Sequence, residues 1–367
     1  MDYSLVCTRC DHKEEDTSFR CTKCGGILEV KYKYNKFKGK VFKDNKKGIS
    51  RYINLLPLDN LATLGEGATP LLRLNYSQTP EVDLLLKLEM KNPTKTFKDR
   101  GSVVEISKAL ELGVKHVCCA STGNMGLSVA HYARHFDITV DIFIGKKANK
   151  AKIEKIKLQG AKIKYVEGDF NKALEQAEDF AKDSGAFVCG DYHFRKEGQK
   201  TIAYEISEQT KGDMPDYIFM PVGNGTLFSG VYKGFVELKR YHIINKIPRL
   251  IAVQSKKCDP VVKAYKNRKD IRYMKPQTQA DAIAVGYPTF GFEALNAINK
   301  TNGMAISVSE NEIKSAVRLL ERYRTYAELG GGTGFAGFLK LHNENRKLLS
   351  KKRVAVVITG NNEGKFA

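Results

Sequence analysis

Lys98, within residues 92–101 (NPTKTFKDRG), is the residue of this sequence whose neighbours most favour covalent chemistry. Burial lowers the pKa of a lysine, and its neutral amine can then bind a carbonyl cofactor covalently and later transfer protons. Asp99 and Arg100 follow directly, and such polar groups can hold the loop around a reactive lysine. Judged by the spacing of this segment alone, the alternative is that Lys98 is an ordinary surface lysine.

Residues 121–126 (STGNMG) lie between a predicted strand and a predicted helix. The N-terminus of that helix would present unsatisfied N–H groups to an anion such as a substrate carboxylate. Asn124 could also donate a hydrogen bond to a phenolate oxygen on a cofactor ring. An ordinary turn, in which Ser or Asn caps the helix, is the alternative.

Residues 223–227 (GNGTL) form a second such junction. Consecutive backbone N–H groups can bind a phosphate there, and glycine permits close approach. The segment lacks the Lys and Ser/Thr spacing of a nucleoside triphosphate loop.

A third group, Thr359, directly follows the last predicted strand, where a hydroxyl could donate a hydrogen bond to a pyridine nitrogen. A neutral Thr would not hold that nitrogen protonated, which favours controlled elimination and replacement chemistry. Taken alone, Thr359 is an ordinary turn residue.

Four cysteines near the start of the chain have the spacing C-x2-C, ten residues, C-x2-C. Two such knuckles place four thiolates around one tetrahedral metal, which predicts a closed, structural zinc site. The alternatives are a unit that holds no metal and an oxidised pair. The predicted ligands are Cys7, Cys10, Cys21 and Cys24. The other four cysteines are predicted to be reduced and buried.

The chain has 367 residues and a formal net charge of +20. Its basic residues are interleaved with acidic ones along helical segments, so we expect solvated lysine faces and no nucleic-acid partner. The positive field would attract a small anionic substrate to a cleft. We find no apolar run of membrane-spanning length and no signal-peptide pattern, so a cytoplasmic location without membrane contact is expected.

Strand and helix patterns alternate after residue 65, which predicts parallel sheets covered by helices. Ligands in such α/β folds bind at the carboxyl ends of the strands, where the glycine segments lie. The predicted strands cover 84–88, 114–120, 138–144, 162–166, 187–189, 217–220, 250–254 and 353–358. The predicted helices cover 124–136, 148–158, 170–184, 197–209, 227–240, 310–323 and 333–343.

Almost the whole chain resembles the threonine synthase branch of the fold-type-II pyridoxal-phosphate (PLP) enzymes. The resemblance is carried by the cysteine segment and by 64–71 (LGEGATPL), 92–101, 197–201 (EGQKT), 221–225 (PVGNG) and 359–360 (TG). It implies an α/β fold of two lobes, each a mostly parallel sheet flanked by helices, preceded by a zinc-ribbon-like unit. The implied boundaries are 1–35 for the ribbon, 36–65 for a linker, 66–101 with 203–367 for a large PLP-binding lobe, and 102–202 for a small mobile lobe.

The resemblance also implies roles for individual residues. Lys98 would be the catalytic residue and would hold PLP covalently. The other implied cofactor contacts are Asn124, Gly223, Asn224, Gly225, Thr226, Leu227 and Thr359. The implied substrate contacts are Ser121, Thr122, Met125 and Arg195, the last for a substrate phosphate. The implied reaction converts O-phosphohomoserine and water into threonine and phosphate, and a homodimer is common in the family.

The chain departs from the family pattern around the substrate. An expected Asn-Ser pair is replaced by Cys189 and Gly190, and the residues before Arg195 also differ. Two alternatives therefore stay open beside threonine synthesis. One is a PLP-dependent paralogue, either a cysteate synthase-like enzyme acting on phosphoserine or a threonine or serine deaminase. The other is a non-catalytic protein that binds a ligand or nucleic acid.

Overall fold

The computed structural model describes residues 2–33, 41–121, 123–145, 150–168 and 170–361. The strands in this part of the chain are β1 (Tyr3–Cys7), β2 (Lys13–Glu14), β3 (Leu28–Tyr32), β4 (Leu71–Arg73), β5 (Asp83–Leu88), β6 (His116–Ala120), β7 (Thr139–Gly145), β8 (Lys162–Val166), β9 (Phe187–Cys189), β10 (Tyr217–Pro221), β11 (Arg249–Ser255), β12 (Met304–Val308) and β13 (Arg353–Ile358).

The α-helices are α1 (Lys98–Glu111), α2 (Asn124–His135), α3 (Lys150–Lys157), α4 (Phe170–Ser184), α5 (His193–Gln199), α6 (Thr201–Gln209), α7 (Thr226–Arg240), α8 (Pro260–Asn267), α9 (Gly291–Lys300), α10 (Glu310–Arg322), α11 (Leu329–Glu344) and α12 (Arg346–Leu349). Short 3-10 helices cover Gly48–Leu55, Glu89–Lys91 and Asp281–Ile283. None of the helices in the described ranges is long and apolar enough to cross a membrane.

The chain divides into two compact units, and the first comprises Met1–Gly67 and Lys98–Gln199. It contains a small antiparallel sheet in the order β2-β1-β3 and a parallel sheet in the order β8-β7-β6-β9. Helices cover both faces of the parallel sheet, so the residues of its central strand β6 from Val117 to Ala120 are all at most 2% exposed.

The second unit comprises Ala68–Phe97 and Lys200–Ala367. Its six-stranded sheet has the order β12-β11-β10-β13-β5-β4, and only the edge strand β4 is antiparallel. The last five residues of β13, Val354 to Ile358, are fully buried. The continuous apolar run of this strand therefore reflects burial on both faces.

Each parallel sheet has a point where the strand order reverses. In the first unit the chain runs from β6 outward through β7 and β8, and then returns to place β9 on the other side of β6. In the second unit it runs outward from β10 through β11 and β12, and β13 lies on the other side of β10. Ligands of α/β proteins bind at the carboxyl ends of strands at such reversals. The segments that end β6, β9, β10 and β13 are therefore the first places to look for a site.

The predicted α/β class with mostly parallel sheets is confirmed, and several predicted boundaries need correction. The single helix predicted over 197–209 is two helices, α5 and α6. The helix predicted over 333–343 begins earlier, at Leu329, and the helix predicted from 148 is described from Lys150. The strands β4 and β12 and the helices α8 and α9 were not predicted.

Candidate active site

Lys98 is the first residue of α1, and its side chain is largely removed from solvent, with 17% exposure. Burial lowers the pKa of its amine below the ordinary lysine value. The carboxylate of Asp191, in the segment after β9, lies 3.8 Å from the Lys98 Nζ and opposes that shift. Lys98 therefore combines a desolvated amine with a nearby counter-charge, and both properties suit an amine that must gain and lose a proton.

Arg195, on α5, is fully buried and contacts the main chain of Lys98. Its Nη1 donates to the Lys98 carbonyl at 3.1 Å, and its Nε donates to the Gly190 carbonyl at 2.8 Å. Its Nη2 donates to the Ser102 Oγ at 3.2 Å and to the carboxylate of Glu105. In this geometry the guanidinium positions the first turn of α1. These four contacts occupy four of the five guanidinium N–H donors, so the phosphate contact of Arg195 stays a prediction.

Glu105 is the carboxylate that neutralises Arg195. It is 1% exposed, and its other oxygen accepts a hydrogen bond from the Gly190 N–H at 2.8 Å. Burial raises the pKa of Glu105 to about 7, although the adjacent guanidinium acts in the opposite direction. The pair thus connects α1 to the segment that follows β9.

The segment after β6 leads into α2, as predicted. The Ser121 Oγ accepts hydrogen bonds from the N–H groups of Gly126 (2.9 Å) and Gly123 (3.3 Å), so its hydroxyl stabilises the start of the helix. Asn124 begins α2 and is partly exposed, whereas Met125 is 7% exposed. The predicted substrate residue Thr122 lies outside the described residues.

The glycine segment after β10 leads into α7, and no side chain of the described residues caps this helix. Gly225 has φ +87°, and a Cβ atom there would lie 2.5 Å from the Phe290 carbonyl oxygen, so only glycine fits. Asn224 holds the neighbouring segment, because its Oδ1 accepts from the Thr289 N–H at 2.5 Å. The buried Thr226 Oγ1 has no hydrogen-bond partner among the described residues.

These features fit a phosphate group. An uncapped helix N-terminus presents N–H donors, and a buried hydroxyl without a partner requires one. Gly223 and Leu227 complete the predicted segment, and Leu227 is 6% exposed. The donor set after β10 therefore fits the phosphate of PLP, the cofactor that the resemblance implies. Within the other unit, the desolvated amine of Lys98 is a group that suits the PLP carbonyl.

Thr359 follows β13, and β13 is the parallel neighbour of β10. The glycine segment and Thr359 thus lie at the same edge of one sheet, at its point of order reversal. The Thr359 carbonyl accepts hydrogen bonds from the Phe97 N–H (3.0 Å) and the Thr96 Oγ1 (3.2 Å). These bonds fix the main chain just before Lys98 against the end of β13.

The predicted site residues are divided between the two units. The first unit contains Lys98, Ser121, Asn124, Met125 and Arg195, and the second contains Gly223, Asn224, Gly225, Thr226, Leu227 and Thr359. Two residues without a predicted role also stand out. Asp191 faces Lys98, and the side-chain amide of the fully buried Gln199 has no hydrogen-bond partner among the described residues. The position of Asp191 just after a predicted strand was the available signal for it.

The four predicted metal ligands come together beside the small antiparallel sheet, with Cys7 at the end of β1 and the other three in the segments between its strands. Their Sγ atoms all lie within 4.8 Å of one another, and three of the pairs are 3.4–3.6 Å apart. Tetrahedral zinc–thiolate bonds of about 2.3 Å correspond to sulfur–sulfur distances of roughly 3.8 Å. The donor set and its spacing therefore fit a zinc ion held by Cys7, Cys10, Cys21 and Cys24.

Comparisons with known proteins agree with this geometry. Residues 62–360 match the model of the family described as pyridoxal-phosphate dependent enzyme. A threonine synthase of Methanocaldococcus jannaschii is 35% identical over 96% of this chain and 91% of its own length. A threonine synthase of Methanosarcina acetivorans is 34% identical over 92% of this chain and 87% of its own length.

Solved structures show the same fold at lower identity. Maize serine racemase superimposes with a TM-score of 0.70 at 22% identity, covering 81% of this chain and 88% of its own. A threonine deaminase from Solanum lycopersicum gives a TM-score of 0.70 at 22% identity, covering 81% of this chain and 80% of its own. At this identity the likeness concerns the fold.

Proposed function

Because this chain belongs to the pyridoxal-phosphate dependent enzymes and to their threonine synthase branch, we propose that it converts O-phosphohomoserine and water into threonine and inorganic phosphate. The observation that carries the proposal is the buried Lys98, whose pKa is lowered by burial, with the carboxylate of Asp191 from the segment after β9 at 3.8 Å. The enzyme is a PLP-dependent lyase, and its substrate is a small anionic amino acid.

In this proposal Lys98 holds the cofactor covalently, and the segment Gly223, Asn224, Gly225, Thr226 and Leu227 binds its phosphate. Asn124 contacts the ring oxygen and Thr359 faces the ring nitrogen. When bound, PLP supplies a sink for the electrons left at the substrate α-carbon.

The proton transfers are assigned to Lys98. Once the substrate amine has displaced Lys98 from the cofactor, the free Lys98 Nζ would remove the proton from Cα of the substrate and then move protons at Cβ, while phosphate leaves from Cγ. Water would add at Cβ, which gives threonine. Burial favours the neutral amine that acts as a base, and the carboxylate of Asp191 stabilises the ammonium form that follows each transfer.

Two observations favour a second candidate, a PLP-dependent elimination on threonine or serine, which carry no phosphate. The cation predicted to bind a substrate phosphate, Arg195, is already paired with Glu105. In addition, Asp191 places a negative charge beside Lys98. A substrate without a phosphate would not need a free guanidinium.

A product assay separates these candidates. The purified enzyme is incubated with O-phosphohomoserine, phosphoserine plus sulfite, threonine or serine, and amino-acid products, 2-oxoacids and phosphate are measured. Threonine and phosphate from O-phosphohomoserine support the proposal, whereas turnover of the other substrates alone contradicts it.

Lys98→Ala should remove the visible absorbance of bound PLP and all turnover, and a yellow, active variant would refute the role of Lys98.

We further propose that the cysteine cluster holds one structural zinc ion, so that residues 1–35 form a zinc-ribbon-like unit. The sulfur–sulfur distances support this proposal. Metal analysis of freshly purified, reduced protein should find about one zinc per chain. Metal-free protein with an intact fold would contradict it.

A further inference from the structure

The small antiparallel sheet β1–β3, here called the N-terminal sheet, is tied to three helices of its own unit. The Asp16 carboxylate lies 3.5 Å from the Lys108 Nζ on α1, and the Arg20 Nε donates to Glu178 on α4 at 2.7 Å. Two further contacts reach α5 from β3, one from Tyr32 on its buried face and one from Glu29 on the opposite, partly exposed face. The N-terminal sheet is therefore an integral part of the unit that carries Lys98.

The two contacts with α5 are buried and polar. The Glu29 carboxylate accepts from the Lys196 Nζ, and these side chains are 18% and 6% exposed. The Tyr32 hydroxyl donates to the carboxylate of Glu197, which is fully buried. Removing one partner loses a hydrogen bond to a largely buried charged group, so these bonds favour one position of α5.

The position of α5 is transmitted directly to the first turn of α1. A Cβ atom on Gly198 would lie 1.7 Å from the Arg100 carbonyl oxygen, so the two helix backbones are in contact. From the same helix, Arg195 reaches the Lys98 carbonyl at 3.1 Å. A packed backbone contact cannot absorb a shift of α5, so any movement of this helix moves the residue that bears the reactive amine.

We propose that the N-terminal sheet positions the catalytic lysine: Glu29 and Tyr32 hold α5, and α5 in turn holds the main chain of Lys98 through Gly198 and Arg195. The inference rests on Lys98 carrying PLP, as proposed above. Glu29 and Tyr32 are positioning residues, because they act through α5 and touch no reacting atom.

The test uses Glu29→Gln and Tyr32→Phe in the full-length holoenzyme. Tyr32→Phe removes one hydrogen bond to α5, and Glu29→Gln removes the negative charge from the pair with Lys196, both at nearly constant volume. We expect kcat to fall about tenfold while KM changes less, because displacing a reacting group by a fraction of an ångström slows the chemical step. The visible circular dichroism of the PLP bound at Lys98, recorded without substrate, should change in the same variants.

Two variants serve as matched controls. Lys31 lies on β3, like Glu29 and Tyr32, and Lys31→Ala breaks its exposed ion pair with Asp11. His12→Ala removes an exposed ring that lies 3.8 Å from the Glu14 carboxylate on β2 of the N-terminal sheet. Both should keep the wild-type kcat and circular dichroism, and the zinc content should be equal in all four variants.

The inference is overturned if Glu29→Gln and Tyr32→Phe lower only the melting temperature and keep the wild-type kcat and cofactor spectrum. It is also overturned if His12→Ala changes the spectrum as strongly, because the effect would then not pass through α5. Should one variant fail to fold, the other decides. A wild-type protein that binds no PLP would instead refute the proposed function.

Discussion

The charge state of Lys98 is set by groups from several elements of its unit. Burial lowers the pKa of the amine, Asp191 raises it from the segment after β9, and Arg195 lowers it from α5. Cys119 on β6 and Glu105 on α1 also raise it. The Asp191 carboxylate lies 3.8 Å from the Lys98 Nζ and acts as its counter-charge. The balance between burial and this one carboxylate can be tested directly.

Asp191→Asn should lower the pKa of Lys98 further, because the burial effect remains and the opposing negative charge is lost. The neutral amine is the form that reacts with PLP. The pH profile of PLP uptake by the apoprotein, followed by visible absorbance, should therefore move to lower pH. The exposed Asp179→Asn, which loses only a surface pair with Lys182, should leave the profile unchanged. An unchanged profile in Asp191→Asn would show that Asp191 does not act on Lys98.

Single residues differ in how far the sequence predicted them. Lys98 and the glycine segment after β10 were predictable because their local neighbours define the chemistry. The pairing of Asp191 with Lys98 was not predictable. It depends on the return of β9 beside β6, which no local pattern encodes. The internal partners of Arg195 were missed for the same reason, since Glu105 and Gly190 come from distant segments.

At the scale of elements, the junction between β10 and α7 depends on Gly225. Gly225→Ala places a side chain at φ +87° and 2.5 Å from the Phe290 carbonyl oxygen, so the segment must shift at a cost of about 1–3 kcal/mol. The dissociation constant for PLP, measured by titrating the apoprotein, should rise about tenfold or more. Gly212→Ala is the matched control, because its φ is +79° but its nearest contact is 3.8 Å away. Equal affinities in the two variants would remove the junction from the cofactor site.

A buried ion pair joins β5 to α6 in the second unit. The Lys87 Nζ donates to Glu205 at 2.7 Å, to the Thr69 carbonyl at 2.7 Å and to Gln209 at 2.9 Å, and Lys87 is fully buried. Glu205→Ala should lower the free energy of unfolding by about 3–5 kcal/mol, because it leaves this ammonium without its counter-charge. Denaturant unfolding monitored by far-ultraviolet circular dichroism measures the loss.

The matched control for this prediction is an exposed pair. Glu175→Ala removes the partner of Lys172 on α4, where both side chains are about half exposed, and should change stability by less than about 1 kcal/mol. Replacing both buried partners, in Lys87→Met with Glu205→Leu, should restore much of the stability. A loss in Glu205→Ala no larger than in Glu175→Ala would contradict the buried pair.

Elements with strong periodicity were predicted to the residue, as for β8, α4 and β13. The start of α11 was placed too late because Gly330, Gly331 and Gly332 have low helix propensity. Tertiary packing overrides that propensity here, since a Cβ on Gly331 would lie 2.5 Å from the Gly360 carbonyl oxygen. The strand β4 was missed because it has only three residues at a sheet edge and directly follows Pro70.

At the scale of the whole molecule, the dominant feature is a formal net charge of +20. The structure pairs many of these lysines locally, as in the exposed Lys157–Glu154 and Lys182–Asp179 pairs. Local pairing leaves the excess of 61 basic over 41 acidic residues intact, so the positive field persists at a distance. Such a field raises the encounter rate of an anionic substrate rather than its affinity in the bound state.

The value of kcat/KM for O-phosphohomoserine should therefore fall about tenfold as salt rises from about 0.01 M to 0.15 M, while kcat stays nearly constant. Added salt shortens the Debye length from about 30 Å to about 8 Å, which screens the field in solution but not the groups buried around Lys98. Initial rates at several concentrations of sodium chloride measure the effect, and a zwitterionic amino acid such as serine, tested for competitive inhibition, is the control. A salt-independent kcat/KM would mean that the net charge does not steer the substrate. A parallel loss of kcat would mean that salt acts on the site itself.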